Sequence, residues 1–157
     1  MIKELISYSD SIVIDADADK VYQVISEIEN MGKFSPVCKE CRWETDNHGE
    51  GGYFTGKNIT PERTWETKSQ VSAAIPGKEF SFIVGDNNVK WSYKLLADNG
   101  KTVLTEEWIV LPGWEQYYKE RFGTDADIAK VLEERLATTK TGIRDTLAAI
   151  KSYIEPK

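Results

Sequence analysis

The sequence predicts an α+β fold: a curved antiparallel sheet of six or seven strands wraps around a long C-terminal helix, and two short helices follow the first strand. Two patterns carry this prediction. Over residues 39–110, apolar and polar side chains mostly alternate with a period of two, between turns rich in Gly, Pro, Asn and Asp. Over about residues 125–153, apolar side chains recur at steps of three, four and seven, which is typical of one face of a helix.

The N-terminal part predicts one strand and two short helices. The strand spans about residues 8–15, where Ile12 and Ile14 share one face. Aspartates then offer N-caps for a helix. The apolar residues of that helix have helical spacing: Val21, Val24, Ile25 and Ile28. A second short helix near residues 31–34 ends before Pro36, because the residue preceding a proline disfavours helical dihedrals.

Six further strands form the predicted meander. They lie at about residues 40–44, 53–59, 63–73, 80–84, 89–95 and 104–110. Each has one apolar and one charged face, which indicates a sheet with one side in water and one side covered. A final helix of about 28 residues would be about 42 Å long, enough to supply the cover.

Length and composition indicate a single domain over residues 1–157. Hydrophobic residues make up 40% and charged residues 29%, the balance of a globular rather than a disordered chain. The net charge of −6 argues against a nucleic-acid partner. No apolar run approaches the ~20 residues that span a bilayer, and no signal peptide is visible. We therefore expect a cytoplasmic monomer or homodimer without stable membrane insertion.

Two cysteines, Cys38 and Cys41, have C-x-x-C spacing. A zinc site needs four ligands, and the only histidine, His48, lies in a glycine-rich turn. A thioredoxin-like motif would open a helix, whereas this one precedes a predicted strand. We expect two ordinary thiols, with a disulfide or redox role as the open alternative, and neither a metal nor another cofactor.

Several segments in order resemble the SRPBCC superfamily, also called START-like or Bet v 1-like, in its polyketide cyclase/dehydrase branch. The resemblance covers residues 9–153. It is carried by residues 12–16, 19–22, 34–36, 52–56 with Asn58, 65–71, 76–77 with Phe80 and Phe82, 91–93 and 101–108. It implies a helix-grip fold with a cavity between the sheet and the last helix. Because this fold hosts lipid carriers, hormone receptors and cyclases, it leaves the activity open.

The inward face of the predicted sheet is rich in aromatic side chains, which either fill the core or line a pocket. Large rings facing a helix rich in Ala and Thr need not close-pack everywhere, and ligand sites combine apolar walls with a few polar groups. The predicted ligand-binding residues are Phe54, Asn58, Arg63, Trp65, Phe82, Trp91, Tyr93, Trp108, Leu132 and Leu136.

Glu106 is the main candidate for chemistry, because alternation places it on the inward face. A buried carboxylate either has a partner, such as Arg63 or Arg135, or takes up a proton. A register shift by one residue would place Glu107 inside instead. With a raised pKa, Glu106 could act as a general acid or base, and Tyr93 is the second candidate for moving a proton.

Three functions fit these patterns. The first is binding of a small hydrophobic molecule of polyketide, lipid or isoprenoid type. The second is a cofactor-free cyclase or dehydratase that folds its substrate into a reactive shape, with Glu106 or Tyr93 as the proton carrier. The third is a partner-binding module whose cavity is vestigial. No catalytic motif in the sequence decides between them.

Overall fold

The computed structural model describes residues 6–123 and 127–155. Its seven strands form one antiparallel sheet in the order β1-β7-β6-β5-β4-β3-β2. The strands are β1 (Ser7–Ile14), β2 (Cys38–Trp43), β3 (Tyr53–Thr60), β4 (Arg63–Ile75), β5 (Glu79–Val84), β6 (Val89–Asp98) and β7 (Lys101–Val110). The helices are α1 (Ala18–Ser26), α2 (Met31–Phe34), α3 (Gly113–Phe122) and α4 (Ile128–Ile154). This confirms the predicted α+β class and the long C-terminal helix.

Aspartate caps begin the two main helices. The Asp17 carboxylate accepts a hydrogen bond from the backbone N–H of Lys20 at 2.8 Å, and α1 buries its apolar face. The Asp127 carboxylate accepts one from the N–H of Lys130 at 3.1 Å and caps α4. The start near residue 125 that the sequence predicts for the last helix lies outside the described residues.

Strand alternation sets the inner and outer faces of the sheet as predicted. On β7, Leu104, Glu106 and Trp108 are buried. The intervening Glu107 lies on the outer face, where its carboxylate is 3.3 Å from the Lys94 ammonium. Glu106, rather than Glu107, therefore faces inward.

Two irregularities interrupt this alternation. The pairing register shifts between Cys38 and Glu40 on β2 and between Val71 and Ala73 on β4. A bulge of this kind adds a residue to one strand, which reverses the face of every side chain beyond it. Neither shift is visible in the apolar pattern of the sequence.

The final helix covers only part of the inner face. It packs chiefly against β1, β7 and α2. Its apolar side chains join one hydrophobic core with residues of the sheet and α1. The inner faces of β3 to β6 extend beyond this contact, which leaves space under α4. Among the described residues, no helix is long and apolar enough to span a membrane.

Candidate functional site

A cavity of about 210 Å³ lies between the inner face of the sheet and α4. Residues of β3 to β7 form its floor, α4 forms its roof, and α2 with the start of β2 closes one side. Pro36, Arg135 and Thr138 line the cavity and are exposed, so it opens to solvent at this point. The space is smaller than the roughly 300 to 1,000 Å³ of typical ligand pockets, which suits a compact molecule.

The sheet supplies a largely aromatic wall. Six of the ten residues predicted from the sequence line it: Phe54, Asn58, Trp65, Phe82, Trp91 and Tyr93. Strand alternation brings them to one surface, and the Phe54 and Phe82 rings meet edge to face with centroids 5.0 Å apart. Such edge-to-face contacts stabilise the positions of the two rings in the wall.

Four residues predicted to bind ligand do not line this cavity. Trp108 is fully buried in the core beside the wall, with its ring centroid 6.5 Å from that of Trp91. Leu132 is buried in the core, and Leu136 packs against it. Arg63 lies beside the wall, with its guanidinium 4.2 Å from the centroid of the Trp65 ring.

The roof is a different stripe of α4 from the apolar one. It consists of Arg135, Thr138, Thr139, Gly142 and Thr146. At 3.6 residues per turn, these positions lie about a quarter-turn from the leucine and isoleucine stripe, which is why Leu132 and Leu136 face the core instead. Sequence reasoning missed this stripe, because hydrophobic periodicity identifies the side of a helix that packs and not the side that borders a cavity.

Gly142 holds the roof open. A Cβ atom built there would have no neighbour within 4 Å. Glycine in the middle of a helix costs roughly 0.5–1 kcal/mol relative to alanine, so the 27-residue α4 would be more stable without it. A glycine in the middle of a long helix, together with the threonines around it, is the signal in the sequence that points to this roof.

Glu106 and Tyr93 form the buried polar part of the cavity. The Tyr93 hydroxyl donates to Oε2 of Glu106 at 3.2 Å, and Oε1 has no hydrogen-bond partner. Burial raises the pKa of Glu106 to about 8, although the Tyr93 hydrogen bond acts in the opposite direction. Burial and the adjacent carboxylate likewise raise the pKa of the Tyr93 phenol. Near neutral pH, Glu106 is therefore mainly protonated and can donate as well as accept a hydrogen bond.

Basic side chains lie at the open end. Burial lowers the pKa of the Arg135 guanidinium, the Tyr117 phenol opposes this shift, and the neighbouring charge of Arg63 adds to it. Although neighbouring residues surround Arg135, the residue as a whole is exposed to solvent. Its ordinary pKa is far above 7, so the guanidinium remains charged at neutral pH. An anionic or carbonyl oxygen of a ligand would be favoured here.

Asn58 adds a polar group to the wall. Its amide donates to the backbone carbonyl of Trp65 at 3.4 Å and to the Thr67 hydroxyl at 3.3 Å. Both bonds are long, so a ligand acceptor can compete for this amide.

The two cysteines also line the cavity, and both are free thiols. Their sulfur atoms are 3.1 Å apart. Within the described residues, no three His, Cys, Asp or Glu side chains come together as a metal-binding group.

A curved antiparallel sheet that grips a long helix around a cavity defines a helix-grip protein. The model of the family described as polyketide cyclase / dehydrase and lipid transport matches residues 6–155. The chain therefore belongs to this family, which confirms the SRPBCC assignment. Family and fold together support a ligand-binding or a cyclase role.

Solved structures show the same fold. The polyketide-cyclase-like protein Cgl2372 from Corynebacterium glutamicum is 42% identical, with a TM-score of 0.68, over 96% of this chain and 91% of that chain. The di-domain ARO/CYC BexL from the BE-7585A biosynthetic pathway is 18% identical, with a TM-score of 0.74, over 98% of this chain and 51% of that chain. Ara h 8.0201 is 13% identical, with a TM-score of 0.63, over 96% and 97% of the two chains. The curated protein sequences contain no match.

Proposed function

We propose that the protein binds a small, mainly hydrophobic molecule of polyketide, lipid or isoprenoid type in the cavity under α4. The observation that carries the proposal is a cavity with aromatic walls, into which α4 presents Gly142 rather than a larger side chain. Trp65, Trp91, Phe54 and Phe82 would contact the apolar body, and its burial would supply about 25 cal/mol per Å².

The polar groups indicate what the ligand carries at its ends. Arg135 at the open end suits a carboxylate, phenolate or carbonyl oxygen. At the buried end, Oε1 of Glu106 lacks a partner, and an unpaired buried oxygen is costly unless a water molecule or a ligand hydroxyl satisfies it. The proposed ligand is therefore a compact ring system with oxygen substituents.

The test fills the cavity from its roof. Gly142→Leu places a side chain in open space within the cavity. Thr141→Leu adds the same side chain at the preceding position of α4, which is exposed. Anilinonaphthalene sulfonate is the probe, because it combines aromatic rings with an anionic group. We expect G142L to weaken its binding by about tenfold or more, and T141L to leave it unchanged. Equal affinity for both variants would refute binding in this cavity.

Native mass spectrometry of the purified protein then addresses the natural ligand. A bound small molecule that is present on the wild-type protein and lost from G142L would give the mass and chemical class of the ligand. Wild-type protein without bound mass, together with no probe binding, would favour the partner-binding alternative.

A second candidate function is cofactor-free cyclisation or dehydration. The observation that favours it is a cavity carboxyl group whose pKa of about 8 is close to neutral, which suits a group that both takes and gives protons. In this function Glu106 would move the proton, and Tyr93, 3.2 Å away, would orient or assist it. Glu106→Gln would then lower turnover by about 100-fold or more while probe binding persists. A pure carrier would have no turnover to lose.

A further inference from the structure

The bulge in β2 places both cysteines on the inner face of the sheet. In a regular strand, residues three positions apart point to opposite faces. The register shift between Cys38 and Glu40 changes this, so that Cys38 lies opposite Asn58 and Cys41 opposite Gly56. Asn58 and Gly56 are both inward positions of β3, and both sulfur atoms consequently lie in the cavity wall.

The sulfur atoms of Cys38 and Cys41 are in contact, and Gly56 on the facing strand leaves room for both. They are 3.1 Å apart, and a disulfide bond of about 2.05 Å would require a movement of only about 1 Å. The facing residue has no side chain: a Cβ atom on Gly56 would lie 3.6 Å from each sulfur. The Met31 sulfur lies 3.8 Å from that of Cys41 and leaves the cysteines as nearest partners of each other.

We propose that Cys38 and Cys41 form a reversible redox site in the wall of the cavity, a dithiol that hydrogen peroxide oxidises to an intramolecular disulfide. The Cys38 thiolate attacks one peroxide oxygen, which breaks the O–O bond; the sulfur becomes a sulfenic acid, and the departing hydroxide takes a proton to form water. The Cys41 sulfur then attacks the Cys38 sulfur and releases a second water. Two electrons pass from the thiols to the peroxide.

The two thiols differ in acidity and exposure in the way that this order of reaction steps requires. A hydrogen bond from the Cys41 thiol lowers the pKa of Cys38, whereas the same contact and burial raise the pKa of Cys41. Cys38 is half-buried and Cys41 is buried. The thiol that ionises more readily is therefore also the one that peroxide reaches first through the cavity.

Peptide mapping tests the proposal directly, because Lys39 lies between the cysteines and trypsin cleaves there. The purified protein is treated with hydrogen peroxide, its remaining thiols are alkylated, and it is digested without reductant. We expect peptides 34–39 and 40–42 to be joined by a disulfide, loss of two hydrogen atoms from the intact monomer, and full reversal by dithiothreitol. The single variants C38S and C41S should not form this link.

Dimedone trapping tests the order of the steps. Cys38 in C41S should be trapped as a sulfenic acid, and at least about tenfold faster than Cys41 in C38S, since the rate follows thiolate fraction and access. The proposal is overturned if both thiols of the folded wild-type protein remain alkylatable, if the link is between two chains, or if oxidation passes irreversibly to sulfinic acid. Thermal unfolding of each variant verifies that the compared proteins are folded.

Discussion

Replacing Glu106 by Gln is expected to make the protein more stable at alkaline pH. The buried carboxyl group has a pKa of about 8 in the folded protein, compared with an ordinary value of 4.5. Below pH 4.5, the folded and unfolded chains both carry the proton. Between 4.5 and about 8 only the folded chain does, so its stability falls as the pH rises through this window and levels off above it. Glutamine has the same shape and no charge, and therefore avoids this loss.

The size of the effect follows from the width of the window. Each pH unit in which only the folded chain holds the proton lowers the free energy of unfolding by about 1.4 kcal/mol. From 4.5 to about 8 the total is about 5 kcal/mol. This is an upper limit, because solvent in the cavity can hydrate the carboxylate. It is still large beside the roughly 5–15 kcal/mol by which domains are stable.

Urea unfolding of ligand-free protein at several pH values measures the effect. The difference between E106Q and wild type should grow with pH by up to about 1.4 kcal/mol per unit and then become constant. Taking the difference cancels the other titrating groups. Glu107→Gln is the matched control, since it makes the same substitution at the adjacent position, where the carboxylate lies on the outer face beside Lys94. A difference between E106Q and wild type that does not vary with pH would refute the assignment of Glu106 as a buried, protonated acid.

Three further changes test the packing around the site by thermal or urea unfolding. Gly142→Ala should stabilise the protein by roughly 0.5–1 kcal/mol, because the added methyl group meets no neighbour; destabilisation would show that the roof is closed. Gly113→Ala should destabilise by about 1–3 kcal/mol, since its Cβ would overlap the backbone oxygen of Asp86; an unchanged midpoint would contradict that close approach. Asp127→Ala should lower the free energy of unfolding by about 1 kcal/mol, because the N–H of Lys130 loses its capping acceptor. Asp127→Asn should keep most of the wild-type stability, because asparagine is also a good N-cap.

Much of the fold could be predicted because burial of the inner face leaves one workable register for each strand. A shift by one residue on β7 would turn Leu104 and Trp108 to solvent and bring Glu107 inside. The same alternation brings six of the ten predicted residues to the cavity surface. It could not separate wall from core, because Trp108 and Trp91 follow the same alternation and are paired across β6 and β7, yet only Trp91 lines the cavity.

The β2 bulge could not be predicted from the sequence, for a different reason. Periodicity assumes that every residue adds one step to the strand, whereas the shift between Cys38 and Glu40 is an exception set by pairing with β3. With regular alternation, only one of the two cysteines would face the cavity. Their C-x-x-C spacing therefore carries little information on its own and becomes informative once the bulge is known.

Two features that work against stability both lie at the cavity, and their coincidence argues for a function of the cavity. Gly142 weakens a helix that alanine would strengthen, and Glu106 is buried with an unpaired oxygen in a protein with ample polar surface. A packed core would gain from removing both. Local rules are broken together mainly where a site requires it, and here each departure either opens the cavity or places a polar atom in its wall. A ligand that fills the space and bonds to Glu106 would offset both costs at once.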